Sequence, residues 1–481
     1  MLFGESVFEM SKILLIKPRF ITSFWHEALT QPMGLLYLGA TLKMAGHEPR
    51  IHDCGSDYHD LNILKRVITN WQPDFIGISI IVTEVQETER IMTLIRKILP
   101  SVPVIFGGPW PSVNPEEALK TLGADFVVIG EGEQVFPQLI ETLLNGGSVA
   151  EIPGTASIIN DHIRINQGEY LTEEELNALP FPEWELLDHA LYAKMRSMPG
   201  VGRRPYMSIV TSRGCPYRCV YCHQTMGKSF RRRSAESVVC EIEMLRSEYG
   251  IKEFEILDDC FNLDRQRTRL ILEGIRDRVG DARLHFPNAV RTDILEPEDM
   301  TLFRQAGTIS ACYAIETASP RLQKLIRKNL NIKKATNVID ASVRAGIYST
   351  GYFMLGLPTE TYPEALDTVK YAASSSLHRA LFFNPMPYVG TEMATMAADI
   401  IDKQSLVDPR KMDYHISKLN ISAMTDSELE RVSRIAYRCF YLSPRRAMRL
   451  MRLAMLQPEV FSIRRLMGMF VRTFLPGNRQ E

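Results

Sequence analysis

The chain has 481 residues, 45% hydrophobic and 23% charged, which is room for about three packed domains at roughly 150 residues each and too apolar for a disordered chain. Its 56 basic and 57 acidic side chains leave a net charge of −1, so it lacks the basic surplus that electrostatic DNA binding draws on. No apolar run approaches the ~20 residues of a membrane span, and MLFGESVFEM lacks the basic n-region of a secretory leader; the expected location is the cytoplasm. Eight cysteines are too sparse for a disulfide scaffold, and Cys54, Cys240, Cys260, Cys312 and Cys439 stand apart from one another.

From Lys12 short apolar runs alternate with amphipathic stretches: KILLIKP, MGLLYLGATLKMAG, PRIHDC and a helical stretch ending at Trp71, then DFIGISI, VQETERIMTLIRKIL, VPVIFGG, PEEALKTLG and ADFVVIGEGE with a helix after Gln134. Strands apolar throughout and separated by helices predict an α/β fold, a doubly wound parallel sheet over residues 1–150. Such a sheet binds ligands beyond the carboxyl ends of its strands, where Pro18, Ser79, Gly107-Gly108 and Gly130-Glu131-Gly132 fall. Residues 151–204 lose the rhythm and read as a connector, with a small hairpin (TASIIN and HIRIN across Asp161), LPFPEWELLDHALY and SMPGVGRRP. A second alternation runs from YMSIVTSRG through EFEILDD, RLHFPNAV, ISACYAIE, YSTGYFMLG and RALFFNP. Six such units over 205–395 suit a partial (β/α)6 barrel better than an eight-fold one. Thr361 to Glu364 is a capping box with Pro in the first turn, and residues 396–481 read as helical.

Cys215, Cys219 and Cys222 form CxxxCxxC directly after the first strand of the second series, in a loop at a strand's carboxyl end. Thiolates are soft ligands suited to zinc or iron–sulfur. Four-coordinate zinc needs a fourth protein ligand, and the near candidate, His223, adjoins Cys222 and is awkwardly placed to share one metal with it. Three thiolates suit a four-iron four-sulfur (4Fe–4S) cluster with one open iron, zinc or unliganded thiols being the alternatives. The motif, with Tyr221 just before the third cysteine, resembles the radical S-adenosylmethionine (SAM) superfamily. That resemblance implies that Cys215, Cys219 and Cys222 ligate the cluster and serve catalysis, and that the open iron chelates SAM. An electron from a donor such as flavodoxin or ferredoxin would then release a 5′-deoxyadenosyl radical that abstracts hydrogen. It also implies that Tyr221 belongs to the cofactor site, that Asp258 and Asp259 sit where the SAM ammonium is engaged, and that Arg291 and Glu316 lie near its carboxylate and ribose. GYFMLGLPTET (351–361) would flank the adenine.

In the first domain, Ser79-Ile80-Ile81 and Gly107-Gly108 resemble the S-x-L and GG elements of cobalamin-binding domains, the glycines letting the backbone approach a buried nucleotide tail. Gly130 and Glu131, in GEGE, open the last helix, where free N–H groups can meet a polar ligand. A flavodoxin-like domain binding something else is the alternative for this half alone. The order of cobalamin-like domain, LPFPEWELL connector and radical SAM barrel resembles the cobalamin-dependent radical SAM class throughout. One departure concerns DxHxxG, whose His meets cobalt in many cobalamin domains: here the segment reads Gln31-Pro32-Met33-Gly34-Leu35-Leu36-Tyr37, with no histidine. His59, in Asp57-Tyr58-His59, reads as a surface residue.

The class implies a C-methyltransferase acting on an unactivated carbon of a small hydrophobic substrate, a natural product, porphyrin or lipid, with two SAM molecules consumed per turnover. Oxidative cyclisation or carbon-skeleton rearrangement, as in the anaerobic magnesium-protoporphyrin ester cyclase, is the alternative within the class. Outside it stand a tRNA-modifying enzyme, suggested by the basic run Lys228 to Arg233, and a non-catalytic cobalamin-binding redox sensor. Residues 443–481 carry eight arginines against Glu459 and Glu481. Such a basic amphipathic helix packs on its own barrel with arginines snorkelling to water, or lies on an anionic membrane. Ala436 to Tyr441 resembles the tail of the family's porphyrin and lipid enzymes, which favours peripheral membrane contact.

Overall fold

The computed structural model describes residues 10–19, 30–56, 60–193, 201, 205–223, 225–398, 400, 419–458 and 461; His59 lies outside them. Two compact units emerge, Met1–Leu191 and, from Tyr192 onward, most of the remainder.

The first unit is built on β1 (Lys12–Lys17), β2 (Glu48–Asp53), β3 (Phe75–Ser79), β4 (Val104–Gly107), β5 (Phe126–Val128), β6 (Thr155–Ile159) and β7 (His162–Ile165), in the order β2-β1-β3-β4-β5-β6-β7. The first five strands are parallel. Successive residues of β1 show why both faces are covered: Leu14 and Ile16 pack with Leu64, Ile68, Ile91 and Ile95, whereas Ile13 and Leu15 pack with Leu35, Leu42, Leu139 and Ile140. The hairpin read into the connector is present but joins the sheet, β6 running antiparallel to β5 and β7 to β6. Its two-residue turn puts Asn160 and Asp161 at φ +49 and +62, positions where short polar side chains tolerate the left-handed conformation. Because β1 lies between β2 and β3, the strand order reverses there, and the crevice between the carboxyl ends of β1 and β3 is the switch point where such sheets take ligands.

The second unit contains β8 (Tyr206–Ile209), β11 (Glu253–Ile256), β12 (Arg283–Phe286), β13 (Thr308–Glu316), β14 (Tyr348–Met354) and β15 (Arg379–Phe383), all parallel and adjacent in chain order. The sheet has β8 and β15 as edges, as the open six-stranded barrel expected from sequence requires. A separate two-residue ladder pairs β9 (Ser212–Arg213) with β10 (Arg231–Arg232). Helix starts are set by side-chain caps: Ser234, Asp264, Asn331 and Thr425 each accept from the main chain three residues on, and Thr361 with Glu364 forms the expected capping box.

The C-terminal helix Pro444–Leu456 packs on this unit. Leu453 and Ala454 join Tyr348, Ile309 and Phe461 in one apolar cluster. Not all of its arginines snorkel outward: Arg446 is buried and donates to the carbonyls of Phe440, Leu377 and Ala373, while Arg449 reaches that of Ser375. Three of these carbonyls belong to the end of helix Tyr362–Ser374 and the turn after it, where a cation offsets unsatisfied acceptors. Among the described residues, no helix is long and apolar enough to cross a membrane.

Gly107 and Gly108 differ physically. Gly108 has φ +91, and a Cβ there would meet Ser79 Oγ at 2.8 Å and Ile80 N at 2.9 Å; one on Gly107 would find only Val128, at 3.9 Å or beyond. Gly108→Ala should therefore lower unfolding stability by about 1–3 kcal/mol, whereas Gly107→Ala should stay within about 0.5 kcal/mol of wild type, both read by denaturant unfolding.

Candidate active site

In the second unit the ladder of β9 and β10 closes the loop carrying Cys215, Cys219 and Cys222. Asp258, at the carboxyl end of β11, fixes the start of that loop by accepting from Thr211 N (2.7 Å), Thr211 Oγ1 and Ser212 Oγ. Arg267 ties the two ends together, donating to the carbonyls of Thr211 (2.6 Å) and Arg233 (2.7 Å). Asp258 is thus a buried clasp with both oxygens engaged, not the open ligand expected with Asp259. Asp259 accepts from the Gly214 main chain and is open to solvent beside the cysteine loop.

The basic run from Lys228 is likewise structural. Lys228 Nζ donates to Tyr217 O at 2.7 Å, Arg232 pairs with Asp264, and buried Arg233 pairs with Glu241. Arg231 is buried too, and the two partly exposed members, Lys228 and Arg232, both hold partners. Surrounding protein raises the Cys215 thiol and pushes Cys222 up to about 11, with the Lys228 charge opposing both shifts. As free thiols Cys215 and Cys222 stay protonated at neutral pH and become good ligands with a cation present. Among the described residues, no three His, Cys, Asp or Glu side chains converge as ligands of one ion.

Glu316 ends β13 beside a register shift between Ala314 and Glu316, at φ +66. A buried, non-glycine residue in this conformation stores strain, a common mark of functional positions. It accepts from Tyr221 Oη at 2.9 Å and Lys328 Nζ at 3.3 Å. Burial and the Glu316 charge raise Tyr221 well above its ordinary value. Arg291 lies over the Tyr217 ring at 3.4 Å, pairs with Asp293, and donates to Lys328 O at 3.0 Å. Tyr221, Glu316, Arg291 and the cysteine loop are therefore one connected network, with Lys328, Tyr217 and Lys228 as members the sequence did not reveal. Lys328 is delivered by a turn in which Arg327 and Asn329 both take positive φ, a feature with no composition signal.

The loop after β14 carries two further departures from ordinary chemistry. Thr359, β-branched and at φ +60, is held by Arg321, whose Nη1 and Nη2 donate to its Oγ1 and O at 2.9 Å. Glu360 is fully buried; its Oε2 accepts from the main-chain N–H groups of Gly356 and Leu357, and its Oε1 has no partner.

In the first unit, Ser79 and Gly107-Gly108 meet at the ends of β3 and β4 as expected. Ser112 links them to the next loop: its Oγ donates to Gly108 O (2.8 Å) and accepts from Gly130 N (3.0 Å). The Gly130 N–H is thus occupied, Glu131 spends an oxygen on Leu171 N (2.8 Å), and the helix itself starts only at Val135. At the switch point Lys17 pairs with buried Glu84, whose other oxygen accepts from Ile81 N at 3.0 Å.

Residues 27–140 match the B12 binding domain, and residues 209–372 match the Radical SAM superfamily. The chain belongs to the cobalamin-dependent radical SAM enzymes. It is similar to an uncharacterized methyltransferase of Pyrococcus horikoshii (28% identity over 91% of this chain and 94% of that one). It is also similar to the anaerobic magnesium-protoporphyrin IX monomethyl ester cyclase of Rubrivivax gelatinosus (24% identity over 86% and 74%). Its fold matches that of the radical SAM methyltransferase TsrM from Kitasatospora setae, solved with cobalamin and a [4Fe-4S] cluster (TM-score 0.69, 18% identity, 91% and 90% covered). The cofactors of this enzyme are accordingly a 4Fe–4S cluster, SAM and cobalamin. Both units fit them: three soft sulfur donors share one closed loop, and Gly107 leaves open the space its side chain would fill.

Burial pushes the Glu360 carboxyl up to about 7 from an ordinary 4.5. The folded state therefore favours the protonated form, and this contribution is complete below pH 4.5 and lost as pH rises through about 7. Unfolding stability should fall by on the order of 3 kcal/mol across that window, and Glu360→Gln should flatten the fall, as measured by denaturant unfolding at pH 5 and pH 8.

Proposed function

We propose that this enzyme is a C-methyltransferase acting on an unactivated carbon of a small, largely hydrophobic substrate such as a natural product, porphyrin or lipid. The observation that carries this reading is the presence in one chain of the closed cysteine loop, linked to strained Glu316, and the glycine cradle after β4. In it, Cys215, Cys219 and Cys222 hold the cluster, Asp259 takes the SAM ammonium, and Glu316, Lys328 and Arg291 face its remaining polar groups. Ser79, Gly107, Gly108, Gly130 and Glu131 shape the cobalamin side, Gly130 and Glu131 by holding the loops in place. When bound, the cluster and SAM supply hydrogen abstraction from carbon, and cobalamin supplies the methyl group.

The residues prepare this chemistry without rearrangement. Tyr221 and Lys328 hold the Glu316 carboxylate in one orientation, and Asp258 with Arg267 holds the loop at both ends. Such preorganisation places reacting groups before substrate arrives. A small electron donor such as flavodoxin or ferredoxin is required as partner. The likeness to the ester cyclase favours oxidative cyclisation as the second reading.

Turnover with methyl-labelled SAM separates the two. Methyl transfer should give labelled product with 5′-deoxyadenosine and S-adenosylhomocysteine near one to one, and Cys215→Ala, Cys219→Ala or Cys222→Ala should abolish 5′-deoxyadenosine. Turnover without label in the product moves the assignment to cyclisation or rearrangement.

Membrane contact belongs to the same reading. Helix Pro444–Leu456 packs through Arg446, Leu453 and Ala454, and its opposite side exposes Met448, Met451, Met455 and Leu456 beside exposed Arg445 and Arg452. An apolar strip flanked by cations suits an anionic lipid surface. Flotation with anionic liposomes should show binding that weakens with salt and is lost when Met448, Met451 and Met455 are all changed to Asp. Equal flotation by both proteins, or none at low salt, removes membrane contact.

A further inference from the structure

A chain of contacts that begins at Lys17 ties the carboxyl ends of β1 and β3 together. Lys17 closes β1 directly after Ile16, which is in register with Ile78 of β3. Its ammonium pairs with Oε1 of Glu84, a residue of the turn after β3 that is 1% exposed. The other oxygen, Oε2, accepts from Ile81 N at 3.0 Å. Asp53, the next carboxylate near Lys17, accepts from Gly55 N at 2.8 Å within its own turn. The Lys17–Glu84 pair therefore spans the switch point, and the two oxygens of one buried carboxylate serve two donors.

Ile81 ends the Ser79-Ile80-Ile81 turn, whose other main-chain groups are fixed by neutral bonds. Ile80 N donates to Gly107 O at 2.9 Å, and Trp110 N donates to Ile80 O at 3.0 Å. Gly108 comes so close that a Cβ there would meet Ser79 Oγ and Ile80 N. On the far side Thr88 Oγ1 donates to Glu84 O at 2.9 Å and joins the turn to helix Val85–Ile98. Of these ties, the one at Ile81 alone depends on a charge. A buried carboxylate that loses its cation takes up a proton or turns toward water, and in either case its charge-assisted hold on Ile81 N weakens. Lys17 thus reaches the turn through Glu84.

We propose that Lys17 is a positioning residue for cobalamin: by matching Glu84 it holds the Ser79-Ile80-Ile81 turn in the shape that receives the nucleotide tail, and it does not itself touch the cofactor. The proposal rests on the reading of Ser79, Gly107 and Gly108 as the cobalamin side of the enzyme. It divides recognition in two. The turn reads the tail and other residues hold the corrin ring, so loss of Lys17 weakens only a corrinoid that carries a tail.

Two corrinoids test it, hydroxocobalamin and cobinamide, the same ring without the nucleotide tail, titrated by visible absorbance into the full cluster-loaded chain freed of cobalamin. The wild type should bind hydroxocobalamin the more tightly. Lys17→Met should weaken hydroxocobalamin about tenfold and leave cobinamide within about twofold. Lys17→Met/Glu84→Gln should recover most of the loss, because the Gln carbonyl still serves Ile81 N once the second donor is gone. Where Lys17→Met does not fold, Glu84→Gln, with one acceptor for two donors, carries the same expectation. In parallel, hydrogen exchange at the Ile81 amide, read by mass spectrometry without any corrinoid, should quicken about tenfold in Lys17→Met. Unchanged hydroxocobalamin affinity, equal losses for both corrinoids, a double variant no better than the single one, or unchanged exchange at Ile81 overturns the proposal. A wild type that binds neither corrinoid would instead remove the cobalamin reading, while the exchange at Ile81 still decides whether Lys17 holds the turn.

Discussion

The buried carboxylate of Asp258 is what the chemistry of the second unit hangs on. Removing a carboxylate from water is expensive, and three donors from Thr211 and Ser212, with the Arg267 charge nearby, offset that cost only if the chain after β8 follows one path. That path leads directly into the cysteine loop. The loop returns through β10, whose pairing with β9 and whose Arg233 carbonyl, held by Arg267, fix the other end. A long segment bearing three thiols thus has both ends anchored in the sheet, which limits the conformational entropy lost when a cluster is bound.

Legibility from sequence follows the range of the interactions involved. The strands of both units were readable because each is a local apolar run, and the parallel arrangement because helices separate them. The cysteine loop was readable because its spacing is itself the chemistry. Asp258 and Asp259 look alike as neighbours just past β11, yet the first is buried as a clasp on Thr211 and Ser212 while the second is exposed beside the cysteine loop. Lys328 could not be found at all, since its approach to Glu316 depends on the left-handed residues on either side of it. The basic run from Lys228 misled for the same reason: charge composition is local, whereas the partners Asp264 and Glu241 come from later helices.

The C-terminal helix shows how composition can mislead in detail and still point to a real asymmetry. Eight arginines over 443–481 suggested a solvated cationic face, but Arg446 and Arg449 turn inward to the carbonyls at the end of helix Tyr362–Ser374. Those acceptors exist because every helix leaves its last carbonyls unsatisfied. The methionines are what the inward turn leaves outside.

The network around Glu253 bears on how this fold separates stability from chemistry. Glu253, His285, Arg283 and Ser310 satisfy one another across β11, β12 and β13, so the network asks nothing of a ligand and holds those strands in one register. With those strands fixed, strain and open positions fall at or beyond their carboxyl ends, where exposed Asp259 and left-handed Glu316 sit.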